Sequence, residues 1–177
     1  MTGGEKEYGR ALFELAYEEN VADDVLTSLD FAQQIFAENP DYLKLLSEPS
    51  IPRETRTQLI DEALGGELHA YVVNFIKILC EKSALEALPA CARAYLELLY
   101  KARGIMPVTA ASAAALADEQ KTALAQKLGN ITGKKILLTN IVDEKLIGGV
   151  KVSYDGTELD GSVAGRLSAV RQALMSN

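Results

Sequence analysis

The stretch LIGGVKVSYDGTELDGSVAGRL, residues 146–167, carries five glycines in twenty-two positions. Glycine at this density has two uses: backbone N–H groups closing around a phosphate, or tight turns and close packing in a small sheet. Phosphate chemistry calls for G-x-G-x-x-G between strand and helix, or G-x-x-x-x-G-K-[ST], and neither occurs. Gly148-Gly149 falls in a β-rich run, where glycine marks a bulge or the close approach of another backbone. Asp155-Gly156, between VKVSY and TELD, is a strong hairpin signal. Gly161 precedes a predicted helix that Asp160 or Ser162 can cap, and Gly165 in its first turn lets that helix approach the sheet. Anion binding at the helix start, with Arg166 beside it, competes with the Asp160 carboxylate at the positive end of the dipole. Gly148, Gly149, Gly156, Asp160, Gly161 and Gly165 therefore read as turn and packing residues.

Other groups that could do chemistry are few. His69 is the sole histidine; flanked by Leu68 and Ala70, it reads as a satisfied or surface imidazole rather than a general base. A Ser-His-Asp arrangement stays open in principle, but no G-x-S-x-G elbow is present. The carboxylate pairs Asp23-Asp24, Asp61-Glu62 and Asp143-Glu144 are adjacent in sequence and point to different faces, which makes them poor chelates. Cys80 and Cys91 sit in apolar helical stretches without metal-ligand spacing, and two cysteines in 177 residues make no disulfide framework. No catalytic, metal-ligating or cofactor-binding residue is expected. That inventory favours an interaction protein.

Composition narrows the partners. A net charge of −7 and 6% aromatic residues disfavour a phosphate backbone and offer little stacking surface for single strands. Residues 1–105 hold 10 of the 18 basic and 18 of the 25 acidic side chains, so the acid is concentrated in the first part. Such asymmetry suits a solvated surface and also a basic partner. No run approaches the roughly 18 apolar residues of a membrane span, and MTGGEKEYGR has no apolar signal core. The expectation is a soluble chain that stays where it is made.

The elements that would position these residues change character along the chain. Tyr8, Ala11, Leu12, Leu15 and Ala16 form one apolar helical stripe, and Val25, Leu29, Ala32 and Phe36 form a second. Asn39-Pro40 and Pro52 open two more helices, with Gly65-Gly66 as a left-handed stop. ELHAYVVNFIKILCEK is apolar around nearly its whole circumference, which predicts a central helix. SALE at 83–86 reads as a capping box that opens a long helix to Gly104, bent at Pro89. Beyond it, IMPVTAA reads as a strand, ALADEQKTALAQKLGN as a helix ending at Gly129 or Asn130, and KKILLTNIV and KLIGGVKVSY as β-rich runs. A last helix is predicted from about Ser162 to Met175, with Leu167, Val170 and Leu174 on one stripe. The expected fold is α+β: an N-terminal six-helix bundle, residues 1–104, then a small C-terminal α/β domain, residues 105–177, with a short sheet and two helices.

Three stretches in this order, EYGRALFELA, FIKILCEKSALEALPACARAYLELL and KILLTNIVDEKLIGGVKVSYDGTELDGSVAGRLSAVRQAL, carry a family likeness over essentially the whole chain. They resemble the delta subunit of the bacterial F-type ATP synthase, which is related to the mitochondrial oligomycin-sensitivity-conferring protein. The D-x-x-L-I-G-G run followed by D-G-S-V-x-G-R-L is its most specific part. Gly9 departs from the pattern by replacing a helix-favouring small residue, at a cost near 1 kcal/mol, and the hairpin with Asp155, Glu158 and Asp160 is more acidic than usual. The resemblance implies a non-catalytic, cofactor-free stator subunit, monomeric within its complex and peripheral at the cytoplasmic face of the plasma membrane. Its helical domain would bind N-terminal helices of the alpha subunits, and its C-terminal part, around 146–174, would hold b-type subunits of the peripheral stalk. Carried over by position, the alpha-subunit groove would lie between Tyr8, Ala11, Leu12 and Leu15 on the first helix and Asn74 and Ile78 on the central one. Two rival readings stand beside it: a nucleotide- or phosphate-using enzyme built on the glycine-rich region, and a generic helical adaptor.

Overall fold

The computed structural model describes residues 3–154 and 156–161. Asp155, Gly165 and the predicted last helix from Ser162 to Met175 lie outside the described residues. The chain is α+β, with seven α-helices and a four-stranded sheet among the described residues. It divides into two compact units, Met1–Leu99 and Tyr100–Asn177.

The first unit is helical: α1 Gly3–Glu18, α2 Ala22–Glu38, α3 Pro40–Ser47, α4 Arg53–Leu64, α5 Ala70–Glu81 and α6 Leu88–Ala102, which runs past the division between the units. Their apolar stripes meet in one core. Val25 and Leu29 of α2, Leu46 of α3, Ile60 of α4, and Val72, Ile76 and Leu79 of α5 are fully buried there. Tyr95 of α6 is the largest side chain shut off from solvent. A buried phenol needs a polar partner. Its O–H finds one in the Ala22 carbonyl, 2.9 Å away, while Phe13 meets its ring edge-on at 5.6 Å.

Several helix ends differ from the sequence expectation. Ser83 does not open α6. It has φ +51, and the Ala84 N–H reaches back to the Leu79 carbonyl at 2.8 Å. That six-residue closure demands a left-handed residue just past the helix, so Ser83 terminates α5 and cannot take the extended conformation of an N-cap. A short 3₁₀ turn, Leu85–Ala87, follows, and Pro89 becomes the second residue of α6, where its missing N–H costs nothing. Asn20, with φ +59, closes α1 in the same way as Ser83 closes α5: the Val21 N–H donates to the Ala16 carbonyl. At the end of α4, Gly65 is right-handed at φ −63, not a left-handed stop, and turns carry the chain on to His69.

The second unit is built on β1 Ile105–Ser112, α7 Asp118–Thr132, β2 Lys135–Val142, β3 Val150–Tyr154 and β4 Thr157–Asp160. Strand order is β2-β1-β3-β4, with β1 and β2 parallel and the other pairs antiparallel. A parallel pair needs a crossover, and α7 supplies it. The pleat sends Met106 and Val108, beside Ile136 and Leu138 in register, to the face where Leu124 and Leu128 of α7 pack. Helix α7 runs to Thr132, past the expected end at Gly129 or Asn130, because Gly133 at φ +68 provides the left-handed cap. Gly148 and Gly149 are not in a strand: β3 begins only at Val150, and the two glycines, both at positive φ, sit in the connection before it. Gly156, at φ +74, turns the β3–β4 hairpin as expected.

Candidate partner-binding groove

Helices α1 and α5 pack against each other in the first unit. Rotation of 100° per residue sorts α1 into two arcs. Gly9, Leu12, Phe13 and Ala16 are buried, Tyr8 is half-buried against the core, and Ala11 and Leu15 are exposed. Leu15 keeps 43% of its surface and Leu12 only 6%. Of the four α1 residues expected to line a groove, Leu12 therefore belongs to the core and holds the helix down, while Ala11 and Leu15 face outward. Glu7, Glu14 and Glu18 are exposed on the outer flank of that stripe, with Glu14 in an ion pair with Arg10 at 2.7 Å.

Gly9 explains how α1 sits so low. A Cβ there would lie 2.4 Å from the Cys91 carbonyl oxygen and 3.0 Å from the Ala94 Cβ, so the backbones of α1 and α6 touch through this position. The sequence reading counted only the helix-propensity cost of this glycine. The small residues Cys91 and Ala94, three apart on α6, were the available signal for a close crossing.

Helix α5 buries Val72, Val73, Phe75, Ile76, Leu79 and Cys80, as its apolar circumference predicts. Ile78 is the exception at 45% exposure, and Asn74 is exposed beside it. The polar edge of α5 is committed to α4: Lys77 pairs with Asp61 at 2.5 Å, and Glu81 pairs with Arg53. Such surface pairs contribute about 0–1 kcal/mol. They leave Ala70, Asn74 and Ile78 as the open strip of α5. His69 sits at the N-cap of α5, where its Nδ1 accepts the Tyr71 N–H at 3.2 Å and its backbone N–H donates to Ser28 Oγ. The imidazole thus caps the start of α5 through its Nδ1.

Behind the strip the packing is polar but closed. The Cys80 thiol donates to the Leu46 carbonyl at 3.3 Å, and Arg56 Nη1 donates to the same oxygen. Burial pushes the Cys80 thiol above its ordinary value, outweighing the nearby guanidinium of Arg56, so the sulfur stays protonated and unreactive. Cys91 is buried as well. Among the described residues no three His, Cys, Asp or Glu side chains gather as a metal site.

In the second unit, Gly161 serves close packing: its N–H donates to the Val150 carbonyl at 3.1 Å, and a Cβ would fall 2.8 Å from that oxygen. Asp160 ends β4 opposite Lys151, and the helix it was expected to cap lies outside the described residues. A residue that sequence reasoning passed over is Asn140. Its Nδ2 donates to the Ala110 carbonyl and to Ser112 Oγ, both at 2.8 Å, and its Oδ1 accepts the Leu116 N–H at 2.8 Å. Only an amide offers donor and acceptor in that arrangement.

Comparison with known proteins decides what this architecture is for. Residues 5–174 match the family model of the ATP synthase delta (OSCP) subunit. The chain belongs to this family. It is 34% identical over 171 residues to ATP synthase subunit delta of Geobacillus sp. strain WCH70, covering 96% of each chain. It is 33% identical to the subunit of the same name from Chlorobaculum parvum, covering 97% of this chain and 94% of that one. Among solved structures, a chain of the Toxoplasma gondii mitochondrial ATP synthase hexamer superimposes with a TM-score of 0.69 at 17% identity, over 99% of this chain and 98% of that one. At that identity the likeness concerns the fold. No helix among the described residues is long and apolar enough to cross a membrane.

Proposed function

We propose that this chain grips the catalytic head of an F-type ATP synthase with its helical region and the peripheral stalk with its sheet-containing region. Family membership makes it a stator component and a structural, non-catalytic subunit of a membrane-associated complex. The finer assignment divides the work at the expected boundary. Residues 1–104, as a six-helix bundle, seat N-terminal helices of the alpha subunits, and residues 105–177 hold the b-type subunits at the cytoplasmic face. Held at both ends, the head cannot turn with the rotor, and proton-driven rotation is coupled to ATP synthesis.

The observation that carries the head-side reading is an apolar strip left open on two packed helices. Ala11 and Leu15 on α1 and Ile78 on α5 are solvent-exposed although both helices bury most of their other apolar residues. An amphipathic helix reads such a strip through anchors at i, i+3, i+4 and i+7. The acidic first region adds electrostatic steering of a basic helix, an effect on association rate more than on affinity.

Ala11→Arg tests the reading. Ala11 is exposed, so the fold tolerates the longer side chain, but an arginine there occupies the seat and loses solvation when a partner closes over it. Titration of a peptide spanning the alpha-subunit N-terminal helix should show a loss of about a hundredfold or more, with an unchanged circular-dichroism melt. Unchanged affinity would move the head-binding surface elsewhere. Millimolar nucleotide that raises the melting temperature would instead favour the enzyme alternative.

A further inference from the structure

We infer that Asn74 sets the register of the helix seated between α1 and α5, by requiring a polar side chain at one point of that helix's apolar face. The inference rests on the groove reading above and specifies which sequences the groove accepts.

Four observations lead to it. Asn74 is exposed in a strip whose other members, Ala70 and Ile78 one turn away on either side, carry no polar side-chain atom. On α1, which packs against α5, the exposed Ala11 and Leu15 are equally without polar side-chain atoms. Its polar neighbours one turn away on α5 are engaged elsewhere: Lys77 pairs with Asp61, and Tyr71 is half-buried against the core with its ring against His69. Asn74 itself makes no side-chain hydrogen bond among the described residues. When an apolar helix covers this strip, the amide loses water on both its N–H and its C=O. Among the described residues no side chain is hydrogen-bonded to it to replace that water.

An amide buried without a partner is costly, so each register that sets an apolar side chain against Asn74 is penalised. The register that sets a hydroxyl, amide or charged group there is not. A single asparagine in an apolar helix interface acts in this way, selecting one alignment at some expense in affinity. The carboxylates of Glu7, Glu14 and Glu18 on the outer flank of α1 define the other requirement. The occupant is an amphipathic helix with an apolar face interrupted by one polar residue and with a basic flank, which is the alpha-subunit N-terminal helix in the reading above. A helix shifted by one turn would still satisfy the greasy contacts and the charges. It would fail at Asn74.

The experiment uses the full chain and a fluorescent synthetic peptide of the alpha-subunit N-terminal helix. Asn74→Leu, on an exposed position, leaves the fold intact, which its circular-dichroism melt checks. The expected result is about a tenfold or greater loss of affinity. A peptide whose matching polar residue is changed to leucine should regain that affinity with Asn74→Leu while losing it with the natural chain, a coupling read by a double-mutant cycle. A photo-crosslinking residue in the peptide should mark one set of positions on the natural chain and a second set, one helical turn away, on Asn74→Leu. Asn74→Gln should restore part of the affinity. Binding by Asn74→Leu within twofold of the natural chain, with the crosslinks unmoved, overturns the inference. The Ala11→Arg chain, run in parallel, separates the two ideas. If it fails to bind while Asn74→Leu is silent, only the register inference falls; if it binds normally, the groove falls and the register inference with it.

Discussion

Gly9 shows how a residue that looks like a defect in one dimension is a requirement in three. In an isolated helix it costs about 1 kcal/mol against alanine. In the fold it lets the α1 backbone rest on the Cys91 carbonyl, where any Cβ would overlap at 2.4 Å. Gly9→Ala should therefore destabilise the helical unit by about 1–3 kcal/mol despite the better propensity, because backbone, not a flexible side-chain tip, must give way. A urea denaturation series on the full chain checks this; a stabilised variant would mean that α1 does not sit this close to α6. His69 makes a related point. Its ring fills the role usually played by serine or aspartate, accepting an N–H at the start of α5. The sequence left it as a satisfied or surface imidazole and had no means of naming the Tyr71 N–H that its ring accepts, or the Ser28 hydroxyl on another helix that accepts its backbone N–H.

At the scale of elements, the connection from β1 to α7 depends on one amide. Asn140 of β2 joins the end of β1 to the Leu116 N–H, and Ser112, only 3% exposed, completes the clip by donating to the Ala114 carbonyl at 2.7 Å. Asn140→Ala removes the acceptor of the Leu116 N–H and a donor to the Ala110 carbonyl and Ser112 Oγ in a partly buried place. It should cost about 1–3 kcal/mol and speed hydrogen exchange at the Leu116 amide. Exchange at Leu116 that stays as slow as in the natural chain would show that the loop is held by other means. Helix ends carry the same lesson. The S-x-x-E pattern at 83–86 satisfies a capping-box rule, yet Ser83 closes the preceding helix instead, because α5 needed a left-handed terminator before α6 needed a cap. Local pattern allowed both outcomes, and the spacing between two packed helices selected one.

For the whole molecule, the charge asymmetry and the change from helical to mixed structure run together. The acidic helical region and the nearly neutral sheet-containing region have separate cores: one draws on α1 through α6, the other on Met106, Val108, Leu128 and Val152 with their neighbours. Two cores permit two grips, as the proposed function requires. A pull-down with fragments 1–104 and 105–177 should find alpha subunits on the first and b-type subunits on the second. Retention of both partners by one fragment would end the division of labour. The helical fragment has the larger core and should fold alone, whereas a unit of about seventy residues is close to the size at which a single core is marginal.

The sequence by itself determined the α+β class, the existence of nearly every element, the apolar circumference of α5, the hairpin at Gly156 and the family likeness. All of these depend on local period, turn chemistry or residue order, which a chain carries wherever it is placed. Tertiary structure decided that Leu12 is core while Ala11, Leu15 and Ile78 stay open, that Gly9 is a contact point, that Ser83 ends a helix, and that Asn140 holds a loop. Each of those outcomes turns on which backbone lies opposite a given side chain, and that is a property of packing between segments distant in sequence.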